Sequence, residues 1–181
     1  MIKYARWAAD LALLPLAACN TNKSDAFSGT VPQPMPAAPT ASAADQKFAQ
    51  QAASSDQFEI QSSQLALQKS HSARVRAFAQ QMIDEHTATT QKLSALAGTK
   101  GMTVDGALDP TQQQTLASLQ NSRSGFDRAY LRAQVNGHDT ALSAFQTEAS
   151  GGSDPDVRSF AQQTAPTIQE HLDEAKRMAG R

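Results

Sequence analysis

The 181-residue chain holds a single cysteine, Cys19, so no internal disulfide can staple it and its stability must come from core packing. Aromatic residues are scarce, and the abundance of Ala, Gln and Ser suits helices packed through small side chains better than sheets of branched residues. No run of about 20 apolar residues occurs, which excludes a spanning helix. The formal net charge is −1 and no Lys/Arg-rich patch is present, which excludes a nucleic-acid partner that must displace counterions from phosphates. Nucleophilic catalysis finds no support either. There is no Gly-x-Ser-x-Gly elbow, no glycine-rich phosphate loop precedes a helix, and the one cysteine lies in the leader, so nothing marks an enzyme.

That leader has the form of an export signal. Lys3 and Arg6 precede a short apolar stretch that ends at Leu16-Ala17-Ala18-Cys19, similar to a bacterial lipobox. The likeness implies cleavage after residue 18, lipidation of Cys19 and a membrane partner reached through that lipid. Asn20 stands where many inner-membrane lipoproteins carry Asp, so the outer membrane, facing the periplasm, is the expected address. Residues 19–44, with Pro32, Pro34, Pro36 and Pro39 among Ala, Ser and Thr, cannot bury enough apolar surface to fold and read as a tether. An envelope protein is a candidate partner for what the tether holds.

Helical periodicity begins at Asp45. Four segments carry inward stripes: Phe48, Ala52, Ser55, Phe58, Glu59 and Ser62 in the first; Val75, Phe78, Ala79, Met82 and His86 in the second. The third runs through Phe126, Tyr130, Gln134, His138 and Phe145, the fourth through Val157, Phe160, Ala161, Ile168 and His171. Ser72 is placed to cap the second segment, Gly98 and Gly101 to close it, and Asp154-Pro155 to start the fourth. Between the second and third lies a long connection with room for a short helix ending near Leu119.

The heptapeptide Val75 to Gln81, VRAFAQQ, recurs 82 residues later as VRSFAQQ from Val157 to Gln163, and the same offset lays Asp45 on Asp127 and Phe48 on Tyr130. Two similar helical hairpins, each with an apolar stripe to bury, are expected to pack as a ferritin-like four-helix bundle spanning residues 45–179. The long connection serves as its crossover. A second shared element, Ile83-Asp84-Glu85-His86 against Ile168-Gln169-Glu170-His171, has an offset of 85, so three residues have entered the last helix near Pro166, where a kink is expected.

His86, His138, His171 and Glu59 fall on inward stripes at similar heights and form the candidate site. Tyr130 is a candidate partner for Glu59, and Asp84 for a histidine. A carboxylate-bridged di-iron centre would need Glu-x-x-His on two helices. Ile83 and Ile168 occupy the required positions, while Asp84, Glu85 and Glu170 point elsewhere by this register. Two readings remain open: one divalent metal such as zinc or copper held by the histidines and Glu59, or a hydrogen-bonded polar core that fixes helix register. No cofactor is established by the sequence. His71, between the first two segments, reads as a solvated surface residue.

Residues Asp45 to Phe48, Phe58-Glu59-Ile60, Val75 to His86, Phe126 to Leu131 with His138, and Pro166 with Glu170-His171-Leu172 together resemble a bacterial ferritin-like envelope family, domain of unknown function 4142. The resemblance implies an exported helical bundle, often membrane-tethered, with no assigned activity. Where many members have Asp directly before the histidine, this chain has Glu85 between Asp84 and His86.

Overall fold

A computed structural model describes residues 41–180; the expected signal segment, Cys19 and most of the expected tether lie outside them. The described residues form five helices and no strand: α1 Ala43–Lys69, α2 Ala73–Lys100, α3 Pro110–Asn121, α4 Phe126–Gly151 and α5 Pro155–Ala179.

Each helix starts where its local chemistry satisfies the free N–H groups of the first turn. Ser42 and Asp45 form a reciprocal capping box, so α1 begins at Ala43 rather than at Asp45. Ser72 caps α2 through Val75 N–H. Asp109 and Asp154 cap α3 and α5, each followed by proline at the first helical position. The caps Ser72 and Asp154 stand at the same repeat spacing as the heptapeptides. Termination of α2 falls to Gly101, whose φ of +64° is the left-handed cap conformation; Gly98, expected to help close the helix, lies inside it. At Pro166, α5 continues without a break.

Three-residue links make α1 and α2, and α4 and α5, neighbours. Helix α1 also packs on α4, in antiparallel register: Phe48 meets Phe145 edge-on at 4.9 Å near one end, and Ser63 shares a 2.8 Å hydrogen bond with Tyr130 near the other. The 101–125 connection runs along α1 from Gln46, bonded to Thr103, to Lys69, bonded to Gln120. The repeat is visible in burial: Val75 and Val157, Ala79 and Ala161, and Phe48 and Tyr130 are all core residues. The core is built from alanine, a few aromatics and an unusual share of polar groups, among them Asp45, Asp56, Glu59, Gln134 and the three histidines.

Candidate metal centre

His86 sits near the middle of α2, His138 near the middle of α4 and His171 in the second half of α5. Their ring centroids form a triangle with every side 5.4 Å. All three are buried, and one nitrogen from each lies within 4.8 Å of the others. The helical stripes therefore deliver the three residues to one point.

The far nitrogen of each ring has an acceptor. His86 Nδ1 lies 2.8 Å from Asp56 Oδ1, and Thr90 donates to the other oxygen of Asp56. His138 Nδ1 donates to the Gln134 carbonyl at 2.9 Å, a bond only a protonated Nδ1 can make, so Nε2 carries a lone pair. His171 Nε2 donates to Glu85 Oε2 at 2.8 Å, and its Nδ1 is buried without a partner. The near nitrogens of His86 and His138 face each other at 3.4 Å.

Burial sets the charges. It holds the Asp56 carboxyl above its ordinary range despite the His86 bond. It also works against charge on His86, but there the Asp56 bond prevails and raises the imidazole, so the pair retains a proton. Burial, with the charge of His86 nearby, drives His138 well below its ordinary range and lowers His171 as well. These two rings are neutral at physiological pH.

Glu59 stands behind His138 and outside the converging nitrogens: its Oε1 is 3.7 Å from Nδ1. Both of its oxygens are buried without a hydrogen bond, and burial pushes the carboxyl up to about 8. The nearby Gln134 amide is already donating to Ser62 Oγ. Room for Glu59 comes from Gly137, where a Cβ would lie 2.5 Å from Oε1.

Two expected neighbours are elsewhere. Asp84 lies on the exposed face of α2 and accepts from Gln80 Nε2, two residues round the helix from His86. Tyr130 is buried between Phe78 and Phe126 and bonds to Ser63, not to Glu59. Two residues absent from the sequence-based site belong to it: Asp56, and Glu85, which the helical register had aimed away from the centre. His71 is exposed, as expected.

Comparison with known proteins follows the same outline. The sequence profile described as Domain of unknown function (DUF4142) matches residues 30–178. The chain belongs to this family. No curated protein matches the chain significantly. Among solved structures, a DUF305 fragment from Deinococcus radiodurans is similar at a TM-score of 0.70 and 18% identity, covering 79% of this chain and 99% of that one. At that identity the likeness is one of fold. The match of the DUF4142 family extends upstream of α1, into the segment expected as a tether.

Proposed function

We propose that this DUF4142 chain binds one divalent transition metal through His86, His138 and His171, in a helical domain tethered to the cell envelope. The observation that carries the reading is the pair of Nε2 atoms 3.4 Å apart, each on a ring whose other nitrogen is already engaged. Nitrogen ligands about 2.0–2.1 Å from a tetrahedral zinc ion stand roughly 3.3 Å apart, so two of the three are at ligand spacing. The buried, partnerless Nδ1 of His171 is the third donor, needing a closure of the order of 1 Å to join them. Carboxylates or a carbonyl behind each ring fix its orientation, as outer partners do in metal sites. All-imidazole donors suit zinc or copper over magnesium or calcium. When bound, such an ion supplies Lewis acidity and, in the case of copper, redox chemistry.

The architecture supporting the site is, in this reading, a ferritin-like four-helix bundle of two similar hairpins, with residues 101–125 as crossover. Its support is the repeat and the pairwise packing of α1 with α2, α4 with α5 and α1 with α4. The lipobox ending at Cys19 supports lipid anchoring, the outer membrane and a periplasm-facing domain. No described helix is long and apolar enough to cross a membrane. Cobalt(II) titration of metal-free protein tests the site: visible d–d bands saturating at one ion per chain, absent in His86→Ala, are expected.

A second reading rests on the same 3.4 Å contact. His86, kept protonated by Asp56, can donate its Nε2–H to His138, closing the core as a purely structural proton-bridged network. Titration without a stoichiometric end point would favour it.

A further inference from the structure

The three imidazoles are sealed, with 5%, 1% and 3% of His86, His138 and His171 exposed, so an ion must pass a guarded route to reach them. A cleft of about 860 Å³ opens between α1, the crossover and α4, but none of the histidines lines it. The carboxylates touching the rings differ sharply in their reach. The side chains of Asp56 and Glu59 are 5% and 1% exposed, whereas that of Glu85 is 41% exposed.

Glu85 therefore has one oxygen on each side of the barrier. Oε2 accepts from His171 Nε2 at 2.8 Å inside, and Oε1 accepts from Gln81 Nε2 on the outer face of α2. The exposed Glu170, next to His171 on α5, adds negative charge that acts on the same ring. A cation drawn to this rim meets a carboxylate, a ligand type every divalent ion accepts, before it meets an imidazole.

We propose that Glu85 is the relay carboxylate of the site, taking a divalent cation from solvent and delivering it to His171 and thence to the other two histidines. This rests on the metal-binding reading above. The Glu85–His171 hydrogen bond opens as the carboxylate turns to the ion. The freed ring of His171 rotates to meet the ion with Nδ1 and closes on the other two histidines, and Nε2–H then returns to Glu85, which orients the ring again. No covalent bond changes. Because the route is shared by uptake and release, its loss slows both.

The test is stopped-flow uptake of cobalt(II) by metal-free protein, followed through its visible absorption, with release driven by excess chelator. Glu85→Gln is expected to slow uptake about tenfold, the scale of electrostatic guidance into a site, with release slowed alongside and Kd within about threefold of wild type. Glu85→Asp recovers part of the rate. Asp84→Asn, on the neighbouring exposed face, leaves uptake unchanged. Unchanged uptake with faster release in Glu85→Gln would overturn the proposal and leave Glu85 as an orienting partner of His171 only. Wild-type protein that takes up no cobalt would instead remove the metal-binding reading itself.

Discussion

Nε2 of His86 and Nε2 of His138 approach to 3.4 Å from helices that lie on opposite sides of the long 101–125 connection in sequence. With His138 Nδ1 committed to the Gln134 carbonyl, its Nε2 lone pair faces His86 and can accept either a proton from His86 or, in the proposed reading, a metal ion. The occupant decides whether the centre is structural or functional.

Asp56 is the anchor of that geometry. Asp56→Ala removes the acceptor of His86 Nδ1 and of Thr90 while leaving a buried imidazole with its proton uncompensated. We expect a loss of about 3 kcal/mol, typical of breaking one side of a buried pair, measured by urea unfolding of metal-free protein. Asp56→Asn, which keeps an acceptor oxygen, should lose less.

Gly137 and Glu59 are coupled. Gly137→Ala drives a methyl into the Glu59 carboxyl and should destabilise by roughly 1–3 kcal/mol, as overpacking does. In a Glu59→Ala background the same substitution should be close to neutral, so a double-mutant cycle by denaturant unfolding should return a large coupling.

Glu148 gives a pH signature away from the histidines. Its carboxyl, buried at the end of α4 and next to Asp45, is pushed up to about 7, first by burial and then by Asp45. A folded value above the unfolded one means ionisation opposes folding, so this residue costs stability as pH rises from about 4.5 to 7 and no further beyond. Glu148→Gln should therefore match wild type near pH 4 and exceed it by roughly 1–2 kcal/mol at pH 8. Thermal unfolding across that range is the check.

Asp45 works in the opposite sense. Burial opposes its charge, but bonds from Ser42, Ser153 and Asp154 outweigh burial and lower the carboxyl to about 2. Its stabilisation is present above the unfolded value of 3.8 and is lost as pH falls through about 2. Asp45→Ala removes a helix cap and two ties to the loop before α5. It should cost about 2 kcal/mol at neutral pH and flatten the acid limb of the stability profile, observed by circular dichroism during acid titration.

The four long helices and the convergence of the three histidines were legible because one period of 3.6 residues placed apolar residues and histidines on the same stripes, and the caps Ser72 and Asp154 marked where two of the helices begin. Asp56 and Glu85 were not, for a common geometric reason. A helix packed against two neighbours buries a wider arc than one stripe: α1 buries Ala53, Ser54 and Asp56 beside the expected Ala52 and Glu59. One residue before His86, Glu85 is turned about 100° round α2, which directs it toward α5 instead of α4. The spacing of Asp56 and Glu59, three apart on one face, was the signal available for the first. For Glu85 there was none without knowing which helix stood beside α2. Tyr130 was placed correctly in the core, yet its partner, Ser63, depended on the antiparallel register of α1 and α4.

Elemental analysis of protein purified without chelators, beside a His86→Ala/His171→Ala variant, tests the central claim most directly. The account predicts close to one zinc or copper ion per wild-type chain and none in the variant. A metal-free wild type that also fails to bind added zinc or copper, with a variant that is merely less stable, would contradict it and leave the histidines as the pins that hold the helices in register.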